Sequence, residues 1–149
     1  GCTVNALSGS VPLVAGEGVV AGADSDVCVS MRAGRLVAVQ TPIDPERVWH
    51  PSVDRMVETA MACIAPDSLV GVQLTGMGDD GARAMAELNA KGGFTIAESE
   101  TSAVIFGMPK ELIARGGASQ ILDADDVSGV LNSFVGVNVP ASRQMQSVR

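Results

Sequence analysis

The sequence predicts an α/β fold: a doubly wound, mainly parallel sheet with a β-hairpin attached. Three observations carry this. First, Val70-Gly71-Val72-Gln73-Leu74 is a short apolar run that ends in the glycine turn Thr75-Gly76-Met77-Gly78-Asp79-Asp80-Gly81. Second, Ala82, Met85 and Ala86 return at helical spacing beyond the turn, and Phe94-Thr95-Ile96-Ala97 follows as the next strand. Strand, helix, strand is the parallel crossover unit. Third, the apolar runs at 27–31 and 36–40 flank Arg32-Ala33-Gly34-Arg35 as the arms of a hairpin.

The elements follow in order. Val11-Pro12-Leu13-Val14-Ala15 reads as a first strand, and the hairpin comes next. Two prolines hold Thr41-Pro42-Ile43-Asp44-Pro45 extended before the period changes. Val53, Met56, Val57, Ala60 and Ile64 then trace one face of a helix that Pro51 or Ser52 begins. Residues 70–74 form a buried strand running into the glycine turn. The helix after the turn stops at Lys91-Gly92-Gly93, a cation and two glycines suited to a helix C-terminus. Pro109 and Gly116 bracket a short helix over 110–115. A last strand at 120–122 precedes a helix capped by Asp123, with Val127, Val130, Leu131 and Phe134 on one face. Residues 1–135 make one domain, and 136–149 read as a polar tail.

Composition excludes several classes. The 149 residues carry 10 basic and 17 acidic side chains, a net charge of −7, so no basic surface for nucleic acid or anionic lipid is expected. No run approaches the roughly 18 apolar residues of a membrane span, and no basic leader opens the chain. Cys2, Cys28 and Cys63 lack paired ligand spacing, so neither a disulfide nor a metal site is expected, and a reducing, cytoplasmic compartment fits. Asp123, Asp125 and Asp126 lack the glycine and terminal glutamate of a calcium loop and read as a cap and solvated face.

The glycine turn admits three readings. Gly76-x-Gly78-x-x-Gly81 fits the dinucleotide fingerprint, with Glu98 near the end of the next strand where a ribose-binding acid belongs. Against this, Asp79 and Asp80 put two carboxylates where a pyrophosphate would rest on the helix N-terminus. The aspartates could instead cap the following helix. A second carboxylate beside a cap could also orient the histidine of a Ser-His-Asp relay.

Taken together, three segments resemble the catalytic domain of the CheB-type chemotaxis receptor methylesterases, the protein-glutamate methylesterases. They are His50-Pro51-Ser52-Val53-Asp54, Leu74-Thr75-Gly76-Met77-Gly78-Asp79-Asp80-Gly81-Ala82, and Thr95-Ile96-Ala97-Glu98 with Ser102-Ala103-Val104-Ile105-Phe106-Gly107-Met108-Pro109. Leu7-Ser8-Gly9-Ser10-Val11 and the hairpin resemble the stretch before them, so the likeness spans most of residues 7–135. The resemblance implies that Asp80 is the triad aspartate and that Met77, between Gly76 and Gly78, lies beside the reacting carbonyl. It also implies a serine nucleophile in a Gly-Ala-Ser-Thr-Gly-Gly-like turn and a histidine on a Gln-His segment. Neither segment occurs in these 149 residues, so the expected fold is that domain without its N-terminal strands.

Local residues do not replace the missing pair. The single histidine, His50, opens a helix, where a capping or substrate-rim role is expected. Ser8 and Ser10 read as turn residues, and Glu98, Glu100 and Ser102 as residues that shape the cleft. The expected function is therefore part of a methylesterase for chemoreceptor glutamates, supplying Asp80 and needing no cofactor. The alternatives are an inactive CheB-like module that binds receptor tails or a partner subunit, and the dinucleotide-binding module. Expected partners are methylated receptor tails and an N-terminal receiver or catalytic segment; an open sheet edge predicts a homo-oligomer.

Overall fold

The antiparallel hairpin and the parallel unit around residues 70–98 form separate sheets, bridged by a helix. The computed structural model describes residues 2–135; the expected polar tail at 136–149 lies outside them. β1 (Thr3–Ala6) and β3 (Glu17–Val20) pair in parallel as a small two-stranded sheet, with β2 (Ser10–Pro12) between them in the chain. β4 (Asp26–Arg32) and β5 (Arg35–Thr41) form the hairpin, and β2 adds antiparallel to the other side of β5. The hairpin turn is Ala33-Gly34, both at positive φ (47° and 75°), as a tight two-residue connection requires.

α1 (Val53–Cys63) links the two halves. Its Thr59 hydroxyl accepts from Val29 N–H of β4 at 3.0 Å, which docks the helix on the hairpin. A short 3-10 turn, Pro66–Ser68, leads into β6 (Val70–Gln73). α2 (Ala82–Ala90), β7 (Phe94–Glu98), α3 (Met108–Ala114), β8 (Gln120–Leu122) and α4 (Ala124–Phe134) complete the order. The parallel sheet runs β6-β7-β8, with α2 and α3 as its crossovers. Val57, Ala82, Ala84, Met85, Leu88, Ala97 and Leu112 form the main core, where α1, α2, α3 and β7 meet. Leu7, Val27 and Ala38 form a smaller one under the hairpin.

Several expectations change. The strand expected over 11–15 shortens to Ser10–Pro12, and β1 and β3 appear where no strand was read. Every residue of β1 is exposed, so its pairing leaves no apolar alternation to find. β6 is only partly buried, because it has a single strand neighbour among the described residues; Val70 is exposed while Gln73 is buried. A cleft of about 220 Å³ beside it is lined by Val29, Val53, Met56, Val70, Val72 and Met85. α3 starts two residues before the expected 110–115, at Met108, with Pro109 still in its first turn. Asp123 occupies the N-cap position of α4 but does not cap with its side chain. Its carboxylate accepts from Ser99 and Thr101 hydroxyls instead, which hold it below the usual carboxylate range.

Candidate functional site

The turn after β6 is anchored on both sides. Gly76 N–H donates to Ile105 carbonyl at 3.0 Å, and Gly76 carbonyl accepts from Gly107 and Met108 N–H at 3.1 and 2.8 Å. These bonds lay residues 105–108 alongside the turn. Thr75 N–H donates to the buried Glu98 carboxylate at 2.6 Å, and the other Glu98 oxygen accepts from Ser102 hydroxyl at 2.8 Å. Glu98 and Ser102 thus brace the start of the turn, whereas Glu100 is exposed. Gly78 and Gly81 take positive φ, 102° and 85°, and a Cβ on Gly81 would lie 2.6 Å from a Val53 methyl. Only glycine fits both demands.

The two aspartates do not cap α2. That helix has Gly81 at its N-cap, and the Ala84 N–H is taken at 2.9 Å by Asp54, from the first turn of α1. Asp80 does the converse. Its Oδ1 accepts from Asp54 N–H at 3.1 Å and Ser52 hydroxyl at 3.2 Å, and its Oδ2 accepts from Val53 N–H at 2.6 Å. The two helices therefore exchange caps, each start satisfied by a carboxylate from the other's beginning. This satisfies orphan amides at both helix starts. Three donors on two carboxylate oxygens leave a lone pair on Oδ2 for one more. Asp79 points elsewhere: its Oδ1 accepts from Trp49 Nε1 at 3.2 Å.

The Asp54 carboxylate already takes the Ala84 N–H at this helix start, so the turn is a poor seat for a pyrophosphate. Met77 is 75% exposed at the apex of the turn. Beside it, Gly78, Asp79, Phe106, Gly107, Lys110 and Glu111 line an open depression of about 490 Å³. Among the described residues, no cluster of three or more His, Cys, Asp or Glu side chains has metal-binding geometry.

Asp26, at the start of β4, is the residue that sequence reasoning missed. It is fully buried, and it accepts from Ser52 N–H (2.9 Å), Asp44 N–H (3.0 Å), Arg55 Nη1 (2.8 Å) and, at 3.3 Å, from His50 Nδ1. Burial alone would push its pKa up, but these donors outweigh it and hold the carboxyl well below the usual range. Ser52 joins the two acids, with its N–H on Asp26 and its hydroxyl on Asp80. His50 stands close to the start of α1 but is bonded to Asp26, not to Asp80. Ser8 is exposed and Ser10 pairs with Val39 in β2, both as turn and strand residues away from this junction. Trp49, also missed, covers the turn; a lone tryptophan directly before His-Pro-Ser-Val-Asp was the available signal.

The family model for CheB methylesterase matches residues 1–131. The chain belongs to the CheB methylesterase family. A protein-glutamate methylesterase/protein-glutamine glutaminase of Rhodospirillum rubrum is 49% identical over 133 residues, 89% of this chain and 36% of that protein. One of Rhodopseudomonas palustris is 42% identical over 132 residues, with 87% and 36% covered. The chain thus spans just over a third of the length of these two relatives. The Thermotoga maritima CheB methylesterase catalytic domain superposes with a TM-score of 0.82 at 27% identity, covering 91% of this chain and 70% of that domain. The α/β fold with its parallel sheet is therefore that of the CheB catalytic domain. No helix among the described residues is long and apolar enough to cross a membrane.

Proposed function

We propose that this chain supplies the aspartate corner of a Ser-His-Asp ester hydrolase acting on methyl-esterified glutamates of chemoreceptor tails. The observation that carries the reading is the state of Asp80, whose carboxylate is fixed by three donors and keeps an Oδ2 lone pair for a histidine N–H. In the complete site a serine oxygen attacks the ester carbonyl while the histidine takes the serine proton and passes it to the departing methanol. Water then repeats the sequence on the acyl-serine and releases the glutamate. Asp80 would hold the imidazole tautomer and stabilise the imidazolium, and the backbone at Met77, between Gly76 and Gly78, would lie beside the carbonyl.

The edge of β6 that is unpaired among the described residues and the apolar cleft beside it support the placement of further strands there. On its own the chain would cover that edge with a second copy, as a cytoplasmic homo-oligomer; light scattering showing a stable monomer would count against this. Joining the chain to the upstream part of a relative's catalytic domain tests the main reading. Restored methyl-ester hydrolysis that Asp80→Ala abolishes supports it. A folded but inert chimera favours the alternative, an inactive module that binds receptor tails or a partner subunit.

A further inference from the structure

The tryptophan over the glycine turn has no part in the roles given so far. Trp49 is the only tryptophan of the chain, and 39% of it is exposed. Its fused ring lies beside Gly78, so closely that a Cβ there would come within 2.7 Å of Trp49 Cζ2. Its Nε1 donates to Asp79 Oδ1 at 3.2 Å. Six residues of chain, 49 to 54, therefore grip the turn twice: Trp49 holds Gly78 and Asp79, and Ser52, Val53 and Asp54 hold Asp80.

On the other side, Gly76 is tied to Ile105, Gly107 and Met108. Met77 is thus suspended between two anchors, and Trp49 is the outer one. Gly78 sits at φ 102° with no side chain of its own, and the Trp49 indole packs on it. We propose that Trp49 is a positioning residue for ester hydrolysis, clamping the Gly78-Asp79 backbone so that Met77 and Asp80 keep their relative places. The proposal rests on the ester-hydrolase reading of Asp80. A displacement of about 1 Å at reacting groups can cost on the order of 10²-fold in rate, so a clamp of this kind acts on kcat rather than on binding.

Two measurements test it, and the first needs no activity. In the 149-residue chain, acrylamide quenching and emission of the lone tryptophan report its cover. Asp79→Ala, and Gly78→Ala as a second route, should raise the quenching constant and shift emission to the red. Wild-type quenching and emission in both variants would overturn the clamp. The second uses the chimeric catalytic domain, in which Trp49→Ala should lower kcat about 10- to 100-fold with KM unchanged. Trp49→Phe, which keeps an aromatic ring but loses the N–H and part of the fused-ring contact with Gly78, should recover only part of that loss. Full kcat in Trp49→Ala, or a loss carried by KM, would also overturn it. A wild-type chimera without activity would count against the ester-hydrolase reading, and quenching would then decide the clamp.

Discussion

The first strand pair and the junction of α1 with α2 are ordered by opposite means. β1 and β3 pair through four backbone partners, and every residue of β1 is exposed, Val4 to 60%. Many sequences would serve there, because the backbone makes the bonds. At the junction, carboxylates reach across between elements: Asp80 to the start of α1, Asp54 to the start of α2, and Asp26 to Ser52, Arg55 and His50. There each acid has specific donors, and a single substitution strips several of them. The contrast teaches where specificity is concentrated, since a region built from side-chain bonds holds a site in place and a backbone-paired region holds only shape.

Substitutions can break or sharpen this contrast. The largest loss of stability is expected from Asp26→Ala, which leaves Arg55 and two backbone N–H groups without their buried acceptor; about 3–5 kcal/mol should go, read from urea unfolding. The same acid sets a pH dependence. Its folded pKa is depressed, so its stabilisation is complete above the ordinary carboxyl value near 3.8 and is lost as pH falls below it through the folded value. Melting temperatures should therefore drop more steeply below about pH 4 in wild type than in Asp26→Asn. Leu112→Ala, at a fully buried position, should cost about 2–5 kcal/mol by the same unfolding measurement. Asp54→Ala should cost about 1 kcal/mol through the lost cap on Ala84. Val4→Ala should change stability by less than about 0.5 kcal/mol, and a loss as large as that of Leu112→Ala would erase the contrast between the two regions.

Much of this was legible in the sequence where period and punctuation agree. The hairpin around Ala33-Gly34, the crossover unit from Val70 to Glu98 and the capped start of α1 at Ser52 follow from apolar spacing and turn chemistry. The three segments that resembled CheB methylesterases belong to that family, and they meet around one turn. The paired strands β1 and β3 stayed hidden because β1 is exposed throughout and β3 turns only Val19 toward the small core under the hairpin. The partners of Asp79 and Asp80 were hidden for a different reason. A helix cap is expected from the residues just before the helix, but here Asp80 serves a helix nearly 30 positions upstream and Asp79 takes the Trp49 indole N–H, long-range choices that local pattern does not encode. Asp26 carries no motif at all; its role arises only when β4 and the start of α1 are brought together.

The measurement that bears most directly on Asp80 is methyl-ester hydrolysis by the chimeric catalytic domain carrying Asp80→Asn, with its thermal melt recorded alongside. The amide keeps an oxygen for the start of α1 but loses the charge that, on the proposed reading, would orient a histidine. The expected result is a folded domain, slightly less stable, with kcat lowered by about 10³-fold or more. A folded Asp80→Asn domain that hydrolyses the ester within tenfold of wild type would contradict the assignment of Asp80 as the triad aspartate.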